Sequence, residues 1–146
     1  MKKSFLWLVV AFIIILSSSY TFSFAAAYED KDIFSINSSL YIDSYSAAIT
    51  ASSGGKIEIV CAVTGIGIMD VIGVSTLNIQ KYQAGSWTTV KSWSGLYDYN
   101  SMQAAFHATY QGIAGSQYRA VIIFYASNSV GSDTRILTTN SVTAIN

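Results

Sequence analysis

The stretch IAGSQYRAVIIFYA, residues 113–126, decides the fold. It opens as a turn, because Gly115 tolerates backbone angles closed to other residues. It then runs on with Tyr118, Ala120, Ile122 and Phe124 alternating with Arg119, Val121, Ile123 and Tyr125. A period of two is a strand signal. One set suits a core. The other is apolar or aromatic at Val121, Ile123 and Tyr125, where a half-solvated antiparallel strand normally shows polar residues. The strand therefore asks for cover on both faces.

The neighbouring segments read the same way. From residue 38 onward, short alternating runs are separated by clusters of Gly, Ser, Asn and Asp, and no stretch keeps a helical period. The pattern predicts strands over 40–51, 56–64, 74–83, 86–93, 102–110, 117–126 and 134–144. Residues 52–55 read as a turn, 65–73 and 94–101 as loops, and Ala84-Gly85 as a hairpin tip. Ile57, Ile59, Cys61 and Val63 share one face of their strand. Seven short strands with regular turns predict an all-β antiparallel sandwich over residues 38–146.

The first residues are of another kind. Met1-Lys2-Lys3 precedes an unbroken apolar run from Phe5 to Leu16, and the segment ends in Ala25-Ala26-Ala27. A charged start, a short apolar middle and small residues at the end predict a signal peptide over 1–27. The run falls short of the roughly 20 residues that span a bilayer. Cleavage before Tyr28 leaves an N-terminal arm, 28–37, and a secreted chain with no further membrane segment. That chain has six basic residues against eight acidic ones, so it has no basic stripe for nucleic acid. The mean hydropathy of +0.40 is raised by the leader. Cys61 is the one cysteine, so no internal disulfide is available and the core must hold the domain.

Ile113, Gly115 and Tyr118 resemble the tyrosine corner of fibronectin type III and immunoglobulin-like domains. The resemblance implies that the Tyr118 hydroxyl bonds back to upstream backbone and pins the crossing between two sheets. Ala114 stands where that family often has proline. The resemblance also puts Ala120 at the place of the second bridging cysteine of immunoglobulin domains and Cys61 near the first. Cys61 is then a small buried hydrophobe. The phrases IQKYQAGSWTTVKSW (79–93) and GSQYRAVIIFYA (115–126) are similar to small secreted proteins of Gram-positive bacteria, a group with no activity to carry over.

Catalytic signals are sparse. His107 is the lone histidine and alternates outward from Phe106 and Ala108. No cysteine and histidine set has zinc spacing, no phosphate loop is present, and no cofactor is expected. Asp70, Asp98 and Asp133 fall in segments that the predicted topology brings to one pole. They invite either calcium or the more ordinary closing of local turns. With Tyr97 and Tyr99 they make that pole a second candidate binding site.

The hairpin points to the first candidate. A tip at Ala84-Gly85 pairs Tyr82 with Trp87, Gln80 with Thr89, Ile79 with Val90 and Thr76 with Trp93. One face then collects Tyr82, Trp87 and Trp93 beside Val121, Ile123 and Tyr125. In the immunoglobulin lettering this is the outer face of the C′-C-F-G sheet. So apolar a face calls for cover by the arm, through Phe34 and Ile36, or by a partner. The expectation is a non-enzymatic interaction module that binds a protein partner or itself. The alternative is a carbohydrate-binding module, with Trp87 and Trp93 spaced ~20 Å along a strand to follow an extended glycan.

Overall fold

The computed structural model describes residues 39–146. These lie within a compact unit, Asn37–Asn146. The predicted signal peptide, 1–27, and arm, 28–37, fall outside the described residues.

The described chain is all-β. Its strands are β1 Ile42–Ser52, β2 Lys56–Gln83, β3 Ser86–Gln111, β4 Gln117–Ser127, β5 Ser132–Thr138 and β6 Val142–Thr143. A single 3₁₀ turn, Ser53–Gly55, joins β1 to β2. Every pairing is antiparallel.

The count of seven strands is corrected to six. Residues 65–73 and 94–101, expected as loops, continue the strands on either side of them, so β2 and β3 are long. Neither stretch contains a proline to stop the backbone from staying extended. Instead the ladder between β2 and β3 breaks between Thr64 and Met69 and then resumes. The predicted last strand divides into β5 and β6. Between them the Thr139 hydroxyl takes over from the ladder: it accepts from Ala120 N at 2.9 Å and donates to Asn140 O.

The break gives β2 and β3 two jobs. The first part of β2, Lys56 to Thr64, pairs with β1 on one side and with the last part of β3, Gln103 to Gln111, on the other. The last part of β2, Val71 to Gln83, pairs with the first part of β3, Ser86 to Tyr99, on one side and with β4 on the other, and β4 in turn pairs with β5. Side chains of the two groups meet. Tyr45 of β1 lies 5.3 Å from Phe124 of β4, and Tyr110 of β3 lies 5.6 Å from Tyr118 of β4, between ring centroids. The arrangement is consistent with a β-sandwich.

The core is the inward set of each strand. Ile57, Ile59, Cys61 and Val63 are buried from one layer, and Leu77, Ile79, Tyr118, Ala120, Ile122 and Phe124 from the other. The Tyr118 hydroxyl accepts a hydrogen bond from Ile113 N at 2.9 Å, and Gly115 takes φ +79° in the turn between them. This is the tyrosine corner that the opening stretch implies.

Candidate binding face and pole

The hairpin tip is where the sequence puts it. Ala84 and Gly85 both have positive φ, the signature of the two-residue turn that matches strand twist. Tyr82 pairs with Trp87, their rings 5.1 Å apart, and Gln80 pairs with Thr89. Beyond that the register slips by one residue at Val90. Ile79 pairs with Lys91 rather than Val90, and Thr76 with Ser94 rather than Trp93.

A slip of one residue moves every later side chain to the other face. Trp93 consequently sits opposite buried Leu77 and packs on the core, not on the outer face. The two-tryptophan track for an extended glycan is absent. Lys91 also takes the inner side, with its ammonium 5.6 Å from the Trp93 ring centre. A lysine turned inward on an edge strand discourages pairing with another chain.

On β4, Tyr118, Ala120, Ile122 and Phe124 turn inward, leaving Arg119, Val121, Ile123 and Tyr125 on the outer face, each partly exposed. Three neighbours extend the apolar ground. Ile136 of β5 lies directly opposite Ile123 and is 64% exposed. Tyr97 and Tyr125 both flank Gly73 of β2, and their rings meet edge to face at 5.9 Å. A Cβ on Gly73 would collide with the Leu96 carbonyl oxygen, so glycine is needed for this approach. Burial, followed by the neighbouring Tyr125 and Tyr99, raises the Tyr97 pKa. Ile136 was legible as a strand residue, but its pairing opposite Ile123 was not.

Polar groups frame the face. Ser92 Oγ donates to Asn78 Oδ1 at 2.5 Å. Arg119 Nε donates to Gln80 Oε1 at 2.9 Å, and its guanidinium lies 4.4 Å from the Trp87 ring centre.

The outer face of the other layer is different. Ser44, Ser46, Ala48 and Thr50 of β1 pair with Thr64, Ala62, Val60 and Glu58, and the last two pair in turn with His107 and Thr109. Lys56 holds Glu58 at 2.6 Å and, by that hydrogen bond and its charge, lowers the Glu58 pKa. His107 Nε2 lies 3.7 Å from the same carboxylate. Cys61 points inward from this layer while His107 points outward, so the two do not form a nucleophile–base pair.

The pole is rearranged too. Asp98, Ile72, Ala126 and Asp133 form one row across four strands. Three strand spacings separate the two aspartates, ~14 Å, too far to share an ion. Among the described residues, no three Asp, Glu, His or Cys side chains are grouped to hold a metal. Asp133 has other work. Its carboxylate accepts from Ser39 Oγ, from Thr134 N at 2.7 Å and from Arg135 at 2.9 Å. Ser39 Oγ in turn accepts from Ile42 N at 2.7 Å, fixing the entry of β1. Tyr97 belongs to the sheet face rather than to the pole, because 94–101 is strand. Tyr99, 67% exposed, remains at the pole with exposed Leu40, Ile66, Ile68, Met102 and Val130. Asp70 is exposed there as well. The aliphatic members were missed because that end read as polar loops.

No family model and no curated protein matches the chain. Among solved structures, it is similar to the twitchin kinase region from C. elegans (Fn31-NL-kin-CRD-Ig26), with 16% identity and a TM-score of 0.29. The match covers 60% of this chain and 14% of that one, so the chain spans a small part of its neighbour's length.

Proposed function

We propose that the chain is a secreted, non-enzymatic interaction module of the immunoglobulin and fibronectin III kind. In this reading it docks a protein partner through the outer face of the layer formed by Ser86–Tyr99, Val71–Gln83, β4 and β5. The contrast between the two outer faces carries the proposal. One presents serine, threonine, alanine and an ion pair around exposed Val60. The other presents Val121, Ile123, Tyr125, Tyr97 and Ile136 side by side. Burying each large apolar side chain is worth ~1.5–3 kcal/mol. A face of this kind marks an interaction site in soluble proteins.

The test is Ile123→Lys. The expected result is an unchanged circular dichroism spectrum with altered assembly or partner binding by light scattering. A folded variant with unchanged mass and unchanged binding overturns the reading. Export has its own check. Mass spectrometry of culture supernatant is expected to find a chain beginning at or near Tyr28, and an intact Met1 form held in the membrane refutes it.

One observation favours a glycan instead. The paired rings of Tyr82 and Trp87 adjoin the polar groups of Gln80 and Arg119, which is how a sugar site combines stacking with a few placed hydrogen bonds. Saturable binding on a glycan array, abolished by Trp87→Ala, would put this reading first.

A further inference from the structure

Among the described residues, the outer face carries a single formal charge. Across its four strands the outward residues are tyrosine, tryptophan, threonine, serine, asparagine, glutamine, valine and isoleucine, plus Arg119. The described carboxylates lie elsewhere. Glu58 belongs to the other layer. Asp98 and Asp133 share the row of inward-facing Ile72 and Ala126, and Asp43 and Asp70 lie near the pole.

Among the described residues, nothing neutralises Arg119. Its Nε donates to the neutral Gln80 amide, and the guanidinium is stacked on Trp87. The ion pairs among the described residues are Lys56–Glu58, His107–Glu58 and Arg135–Asp133, and none includes Arg119. The two Nη groups thus form a pre-oriented fork of N–H donors, the geometry that a carboxylate fills with two parallel hydrogen bonds. Ring stacking and the amide restrict the side chain before any partner arrives, so less entropy is lost on binding.

Resting on the interaction reading above, we infer that this face takes a polypeptide segment carrying a carboxylate for Arg119 beside apolar side chains for Val121, Ile123 and Ile136. A second copy docked face to face does not fit. It would bring two such faces together with no carboxylate among the described residues of either, leaving both guanidinium groups buried and unpaired by the faces. A buried charge without a partner is strongly destabilising.

The test uses the purified protein and a phage-displayed library of random dodecapeptides. The expected result is enrichment of sequences with Asp or Glu next to aliphatic residues. Binding of a selected peptide should weaken as salt rises. It should weaken at least about tenfold in Arg119→Gln, and also in Arg119→Lys, which keeps the charge but loses the fork. Enrichment of sequences without acids, or no enrichment, overturns the inference. So does a concentration-dependent dimer that Arg119→Gln leaves intact or tightens. Ile123→Lys separates the two readings. Peptides that need Ile123 but not Arg119 refute only the carboxylate, whereas peptides indifferent to both refute the face itself.

Discussion

Tyr118 shows how one side chain joins local and distant structure. Its ring is buried in the core, and its hydroxyl accepts the Ile113 amide hydrogen five residues upstream. Tyr118→Phe keeps the ring and removes the acceptor. The expected cost is about 1–2 kcal/mol, because a turn amide loses its partner while the packing stays. Urea denaturation measures it, and an unchanged midpoint would show that the turn holds without this bond. Cys61 was legible as a buried hydrophobe from its place among Ile57, Ile59 and Val63. Burial pushes its thiol up to about 11, partly opposed by its bond to the Phe106 carbonyl. In the unfolded chain the thiol ionises near 9. Between those values the unfolded state loses its proton first, so the stability that neutral Cys61 supplies is complete below about pH 9 and is lost as pH rises toward 11. Alkaline titration of unfolding should be shallower in Cys61→Val. Tyr97 and Tyr110, also raised by burial, contribute to the slope that remains.

In β3, one extra residue decides which side chains reach the outer face. A bulge bends its strand and re-aims the side chains beyond it. Deleting Val90 would close the bulge and leave Trp93 opposite Leu77, because the pairs beyond it already run without Val90. The expected result is a folded variant with tryptophan emission unchanged and about 1 kcal/mol or more of stability lost with the Val90 packing. Emission shifted to the red would show that the bulge itself holds Trp93 inside. Gly73 makes the matching demand in β2. Its φ of +154° and the approach of Leu96 leave no room for a side chain. Gly73→Ala is expected to cost at least about 2 kcal/mol by thermal unfolding, against near neutrality at half-buried Gly67, where nothing lies near an added Cβ. The bulge left no mark in the sequence. Residues 86–93 alternate acceptably in either register, and the choice falls to Trp93 and Leu96 packing on the core.

Taken whole, the described unit is two layers with unlike outer surfaces around one core. The register of those layers can be checked by a covalent bridge. Cys61 comes from the layer of β1 and Ala120 from that of β4, and both are fully enclosed. Ala120→Cys is expected to close a disulfide with Cys61 under oxidising conditions and to raise stability by about 2–4 kcal/mol. Such a bridge requires Cα atoms within about 7 Å. A folded variant with both thiols free would show that the layers are not in immunoglobulin register at this point.

Alternation along 117–126, the Ile113 to Tyr118 corner and the Ala84-Gly85 tip were determined by the sequence alone. Each rests on forces acting within a few residues: a side-chain period of two, a glycine at positive φ, a hydroxyl within reach of its own turn. The tertiary structure alone decided that Trp93 turns inward, that Tyr97 leaves the pole to meet Tyr125, and that Asp98 and Asp133 stand at opposite edges. Those outcomes depend on strand order and on bulges. A bulge reverses facing at the cost of one unpaired residue, and whether that cost is met depends on packing against strands far away in the chain.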